Sequence, residues 1–233
     1  MSIPLFFAMT EQEIASAPHP ERIAWMSCHF SAVNHGLAHI PSNFPSGVML
    51  ILDDRIPFRS HDESYICTQL QDLVQRFQCT HLLLDFQRHA TAPLQQLVKR
   101  LERQLPCPIA APPEYAQKLD CPVFLPPIPP LLPAEEYLKP FGHREIWLEL
   151  ALDGAKGTVT TEGCRFTAIP HPQPHISGHF SRDLGCHYHI EVQPEEIRFS
   201  FYRTREDALS LLDKAGQFGV TLAVGLYQEF GEL

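Results

Sequence analysis

The 233-residue sequence contains no apolar run approaching the ~20 residues that a membrane-spanning helix needs. It is also poor in positive charge, with 18 Lys and Arg against 27 Asp and Glu, for a formal charge of −9. That balance repels phosphate backbones and anionic lipid, so neither nucleic acid nor a membrane is an expected partner. The Gly-rich signatures of dinucleotide and P-loop nucleotide sites are missing, and no cofactor is expected. No nucleophile elbow of the Gly-x-Ser-x-Gly kind is found. The first nine residues, Met1 to Met9, are apolar, but they lack a basic start and soon reach Glu11 and Glu13. They therefore make a poor secretory leader. No period of 20–50 residues repeats, which removes solenoids.

Hydrophobic residues make up 44% of the chain, enough for a sizeable core. The seven cysteines are an odd set, and Cys67, Cys79 and Cys107 sit in or beside apolar stretches, where a free thiol packs as a small hydrophobe. This usage points to a reducing, cytoplasmic compartment. The 22 prolines cluster between apolar segments, as in the loops of a compact fold.

Short apolar runs alternate with helical periodicity. Ile23–Ser27, Gly47–Leu52 and His81–Phe86 read as strands buried on both faces. Between them, residues 62–78 carry Ile66, Leu70, Leu73, Val74 and Phe77 at helical spacing, with Asp62 placed as an N-cap. Residues 93–105 repeat the pattern with Leu94, Leu97, Val98, Leu101 and Leu105. Shorter strands follow at Pro108–Ala111 and Pro122–Leu125, a helical turn at Pro133–Leu138, and a strand at Glu145–Leu152. Thr158–Thr161, Arg165–Ile169, His187–Val192 and Arg198–Tyr202 are β-rich and divided by turns, so residues 154–203 read as a hairpin-containing insertion. A helix over 205–218 and a strand at Thr221–Leu226 close the chain. The expected fold is α/β: one domain over residues 1–233, built as a small (β/α)8 TIM-like barrel with that β-hairpin insertion, and an open doubly wound sheet as the rival.

In such barrels, chemistry sits at the C-terminal strand ends. Polar residues there include Asp53 and Asp54, then Asp85, Gln87, Arg88 and His89, then Glu114 and Tyr115, then Glu149, and last Tyr227, Gln228 and Glu229. The run from Thr80 to Gln87 resembles the D-x-x-D-x-D-x-E strand of the chitinase-like glycoside hydrolases of family eighteen. Asp85 matches the third Asp of that pattern. Thr80, Leu83 and Gln87 stand where the first Asp, the second Asp and the catalytic Glu would be. The helices on either side follow the family's order. So does the Asp207–Lys214 helix with its Phe218-Gly219-Val220 exit.

The resemblance implies a barrel that binds an amino-sugar glycan, such as chitin or peptidoglycan, at its strand C-termini. Asp53, Asp85, Gln87 and Tyr227 are the implied ligand-binding residues, with Tyr227 nearest the family's Trp sugar platform. It also implies lost catalysis, because an amide has no acidic proton to deliver to a glycosidic oxygen. Two alternatives stay open. One is an active hydrolase whose acid has moved to Glu149 or Glu114, or which uses a metal in a histidine loop. The other is a non-catalytic scaffold.

That loop contains His171, His175 and His179, followed by Cys186, His187 and His189. His187 and His189 would share a strand face and are the best-placed ligands of the group. No recognised zinc spacing appears, so no bound metal is expected. The adjacent Cys28 and His29 would face opposite ways on a strand and make a weak nucleophile–base pair.

Overall fold

The computed structural model describes residues 2–16, 22–33, 35–40, 44–170, 172 and 178–231. In chain order, the strands and helices are β1 (Leu5–Met9), α1 (Glu11–Ser16), β2 (Ile23–Phe30), β3 (Leu37–Ala38), β4 (Met49–Asp53), α2 (Glu63–Arg76), β5 (His81–Asp85), α3 (Ala92–Gln104), β6 (Ile109–Ala110), α4 (Pro113–Ala116) and β7 (Val123–Leu125). They continue with α5 (Ala134–Leu138), β8 (Ile146–Leu150), β9 (Asp153–Thr160), β10 (Gly163–Pro170), β11 (His179–Ser181), β12 (Cys186–Val192), β13 (Ile197–Tyr202), α6 (Arg205–Ala215), β14 (Val220–Leu226) and α7 (Tyr227–Phe230). No described helix is long and apolar enough to cross a membrane. All seven cysteines are free thiols.

The chain divides into two compact units. The first spans Leu5–Leu125 with Arg144–Trp147. Its strands lie in the order β6-β5-β4-β2-β1, all parallel, with the two-residue β3 antiparallel on β2. Every residue of β4 and the centre of β5 are buried, which is why these strands read as continuous apolar runs. A parallel bridge between Ala111 and Val123 joins the end of β6 to β7. Helix α2 buries Ile66, Cys67, Leu70, Leu73 and Val74, and α3 buries Leu94, Leu97, Val98 and Leu101, one apolar stripe each.

The N-terminal apolar stretch supplies a strand that the sequence pattern did not place: Leu5–Met9 forms β1, whose last three residues lie in parallel register with Ile23–Trp25 of β2. Asp62 does occupy the N-cap position of α2, but its side chain makes no capping hydrogen bond.

The second unit comprises Met1–Pro4, Pro126–His143 and Leu148–Leu233. Here β14 neighbours β8. The insertion is more than a hairpin: it is a five-stranded antiparallel sheet in the order β10-β9-β13-β12-β11. Helix α6 opens with a capping box in which Thr204 and Asp207 satisfy each other's backbone N–H. It ends at Ala215, and a 3-10 turn over Gly216–Phe218 replaces the last part of the expected helix. Gly219 then takes a left-handed φ of 94° to turn the chain into β14.

Candidate functional site

Two parallel strands and a bulge set the centre of the site. The β2–β4 register shifts between Trp25 and Cys28, after which His29 pairs with Asp53, and Asp53 pairs with Asp85. His29, Asp53 and Asp85 thus stand in one row at the C-terminal ends of three adjacent strands. His81, Leu83 and Asp85 share a face of β5. On that face His81 is held edge-on to Phe6 at 5.1 Å and to Trp147 at 5.2 Å.

The carboxylates of this row have different tasks. Asp53 is buried, and both its oxygens are gripped by Arg55, whose Nε lies 2.9 and 2.8 Å away and whose Nη2 lies at 2.5 Å. The Arg55 backbone N–H also donates to Asp53, at 3.0 Å. The side-chain bond to Asp53 raises the Arg55 guanidinium above its ordinary value. Asp54, 1% exposed, turns the other way and accepts the backbone N–H groups of Gln87 (2.8 Å) and Arg88 (3.0 Å). Arg88 returns the contact through Nε to the Asp54 carbonyl at 2.9 Å and Nη2 to the Arg55 carbonyl at 3.0 Å. Tyr115 donates to the Arg88 carbonyl at 3.0 Å. The loop after β5 is therefore fixed from both sides.

Asp85 is half-buried and Gln87 is exposed; the Gln87 side-chain amide donates to Asp85 Oδ1 at 2.6 Å. Burial pushes the Asp85 carboxyl above its ordinary value. The Gln87 bond and Arg55 pull it down, while Asp53 and Asp54 push it up. The pair offers a ligand the remaining amide N–H and carbonyl of Gln87 and a second carboxylate oxygen. It offers no acid of ordinary strength at the Gln87 position.

The other predicted residues fall as follows. Glu114 accepts the Ala90 backbone N–H at 3.0 Å and lies 3.6 Å from His89, so it braces the loop before α3. Glu149 is half-buried on β8, and its charge joins burial in pushing Tyr137 up to about 12. Tyr227 is half-buried at the first position of α7, directly after β14. Glu229, buried nearby in sequence, accepts the Leu152 backbone N–H at 3.0 Å.

His187 and His189 do share β12. His187 bonds Asp207 at 2.8 Å and stacks on Tyr202 at 5.2 Å, while His189 faces Glu191 at 3.7 Å. Among the described residues they join no three-ligand group. His171 and His175 lie outside the described residues. Cys28 is fully buried and its thiol is pushed far up by that burial, which leaves it inert as a nucleophile.

Sequence reasoning had no signal for the Arg55–Asp53 grip. The Asp54 hydrogen bonds to residues 33 and 34 positions away are equally invisible before the strands are aligned.

The mixed α/β fold is similar to that of solved chitinase-like structures. Three solved structures with which it superposes are the spore cortex-lytic enzyme SleL of Bacillus cereus, the chitinase-like agglutinin of Robinia pseudoacacia, and a Gly-to-Trp, Glu-to-Gln double mutant of a Cycas revoluta family-eighteen chitinase in complex with (GlcNAc)4. SleL is 11% identical, with a TM-score of 0.63 over 96% of this chain and 70% of that one. The agglutinin is 10% identical, with a TM-score of 0.60 over 96% and 94%. The mutant chitinase is 9% identical, with a TM-score of 0.59 over 96% and 94%. No family model matches the sequence, and no curated protein sequence matches it.

Proposed function

We propose that this protein recognises an N-acetylamino-sugar glycan at the C-terminal ends of its parallel strands and does not hydrolyse it by the acid route of the family it resembles. The Asp85–Gln87 pair carries the reading. Asp85 is positioned to accept an acetamide N–H, and Gln87 supplies a neutral donor and acceptor where the resemblance requires a carboxylic acid. Loss of a general acid costs about 10²–10⁴-fold in rate, whereas it leaves hydrogen bonding to a sugar intact. The similar structures support this division. One is described as an agglutinin, and another, a Glu-to-Gln mutant, holds (GlcNAc)4. The eight-stranded barrel belongs to the same proposal, and the Ala111–Val123 bridge supports it.

The test pairs calorimetric titration of (GlcNAc)4 with release of a chromophore from N-acetylglucosamine oligomers. The wild type binds without turnover, and Asp85→Asn weakens binding by roughly tenfold, as expected for one hydrogen bond to a charged group. Gln87→Glu is nearly isosteric and gains at most slow turnover, because Thr80 and Leu83 stand where the family's other two carboxylates would tune the new acid. Robust wild-type turnover abolished by Glu149→Gln or Glu114→Gln would show that the acid has moved. Neither binding nor turnover would leave a scaffold.

A further inference from the structure

A histidine group distant from the 171–189 loop has the makings of a metal site. His35 lies in the loop after β2, and His61 and Asp62 end the 3-10 turn that leads into α2. His35 Nδ1 is 2.6 Å from Asp62 Oδ1, and His61 Nε2 is 3.4 Å from the same oxygen. The two imidazoles meet edge-on at 5.3 Å. All three ligand atoms fall within 4.8 Å of one another, and no other such trio of His, Cys, Asp or Glu occurs among the described residues.

The trio is built rather than incidental. The Asp62 side chain is 6% exposed, whereas the imidazoles above it are 68% and 63% exposed. Asp62 stands at the cap position of α2 without capping it, because its carboxylate is turned to the two rings. A cation set among the three ligand atoms would be partnered by the buried carboxylate and both rings at once.

The His35 loop is seated by contacts that do not involve the histidines. The Leu37 N–H donates to Gln69 Oε1 of α2 at 2.8 Å, and Arg59 Nη2 donates to the Ala32 carbonyl at 3.2 Å. Gly36 lies so close to α2 that an added Cβ would stand 2.0 Å from Gln69 and 2.8 Å from Tyr65. Its φ of 112° also excludes most side chains. His35 is thus delivered to Asp62 by its neighbours, and the ligands are arranged in advance.

Two imidazole nitrogens and a carboxylate oxygen suit late first-row divalent ions. Bonds of 2.0–2.2 Å to a tetrahedral ion place ligand atoms about 3.3 Å apart. The His61–Asp62 distance already meets that spacing. The shorter His35–Asp62 contact is a hydrogen bond and opens by less than an ångström when an ion replaces its proton.

We propose that His35, His61 and Asp62 bind one divalent transition-metal ion, zinc foremost, with water completing the coordination. The ion clips the loop after β2 to the start of α2. When the ion takes His35 Nδ1, the proton that this nitrogen shares with Asp62 moves by way of water to the ring's Nε2, so the neutral imidazole is kept. This inference stands apart from the glycan reading and survives its failure.

The full chain, stripped by chelator and dialysed, is titrated with zinc chloride alone, and metal content is read by elemental analysis. One ion per chain is expected, with a rise in melting temperature. Cobalt substitution should give the intense visible absorption of a tetrahedral site. His35→Ala and His61→Ala should each weaken binding more than about tenfold, the scale at which even outer-sphere partners act. Both side chains are exposed, so the variants fold, which circular dichroism checks. His187→Ala and His189→Ala should leave the titration unchanged. No saturable binding by the wild type would overturn the proposal. So would binding that persists in the His35→Ala/His61→Ala double variant, or binding abolished by His187→Ala.

Discussion

The parallel sheet of the first unit and the antiparallel sheet of the second bury their strands in opposite ways. All five residues of β4 are buried, whereas β10 is exposed at nearly every position. The exposed sheet is nonetheless organised. One face carries Phe166, Phe199, Phe201 and Tyr188, with ring centroids 6.1–6.5 Å apart, and Gly157 is small because the Phe166 ring lies against it. Strand order in the first unit therefore rests on burial from both sides. In the second it rests on cross-strand pairs and on polar ties at the sheet's end.

The largest expected effect tests the first half of that contrast. Leu84 of β5 has no exposed surface. Leu84→Ala should cost about 3–5 kcal/mol, read by denaturant unfolding, because a closely packed two-sided site cannot collapse around the cavity. A loss below about 1 kcal/mol would mean that the parallel sheet is not the tightly packed region.

The second effect tests the polar ties. Arg203, 5% exposed, follows β13 and donates to the carbonyls of Ile128, Pro129, Leu184 and Gly185. It binds the turn before β12 to the proline-rich 126–130 segment of the same unit. Cys186 adds a thiol contact to the Pro130 carbonyl at 3.5 Å, and burial pushes that thiol up to about 11. Arg203→Met keeps much of the volume and strands the carbonyls, so it should cost about 2–4 kcal/mol. Arg203→Lys should recover only part of this, since an ammonium cannot span four carbonyls as the planar fork does. Full recovery by Lys would show that charge, not geometry, is what counts there.

The same contrast explains what could be read in advance. Strands β4, β5 and β14 and the stripes of α2 and α3 were legible because burial writes itself as apolar runs and helical spacing. Leu5–Met9 was weighed only as a leader and rejected as one; its strand was not read, because a short apolar run does not say what it packs against. In the insertion, β10, β12 and β13 were visible as β-rich runs. The start of β9 was hidden by Gly154 and Gly157, which carry no pattern, and β11 is only three residues long. At the site, Asp85 and Gln87 were legible only through resemblance to a family motif. Arg55, Asp54 and the turn of Asp62 towards His35 depend on which loops the strands bring together, and local sequence does not encode that.

The smallest effect has the opposite sign and separates a residue kept for binding from one kept for packing. Burial, helped by Asp53 and Asp54, holds the Asp85 carboxyl above its ordinary value despite Gln87 and Arg55. The native chain then holds this proton more tightly than the unfolded chain does. Stability from Asp85 is greatest when it is protonated and falls as pH rises from about 4 through its folded value. At neutral pH the ionised group is a cost. Asp85→Asn removes that cost while keeping the shape, so it should raise stability by up to about 0.5 kcal/mol and flatten the decline between acid and neutral pH. The same variant is the one expected to weaken (GlcNAc)4 binding roughly tenfold. A more stable protein that binds less well would mark Asp85 as held in place for a ligand. If Asp85→Asn instead destabilises on the scale of Leu84→Ala, the carboxylate is structural and the glycan proposal loses its central residue.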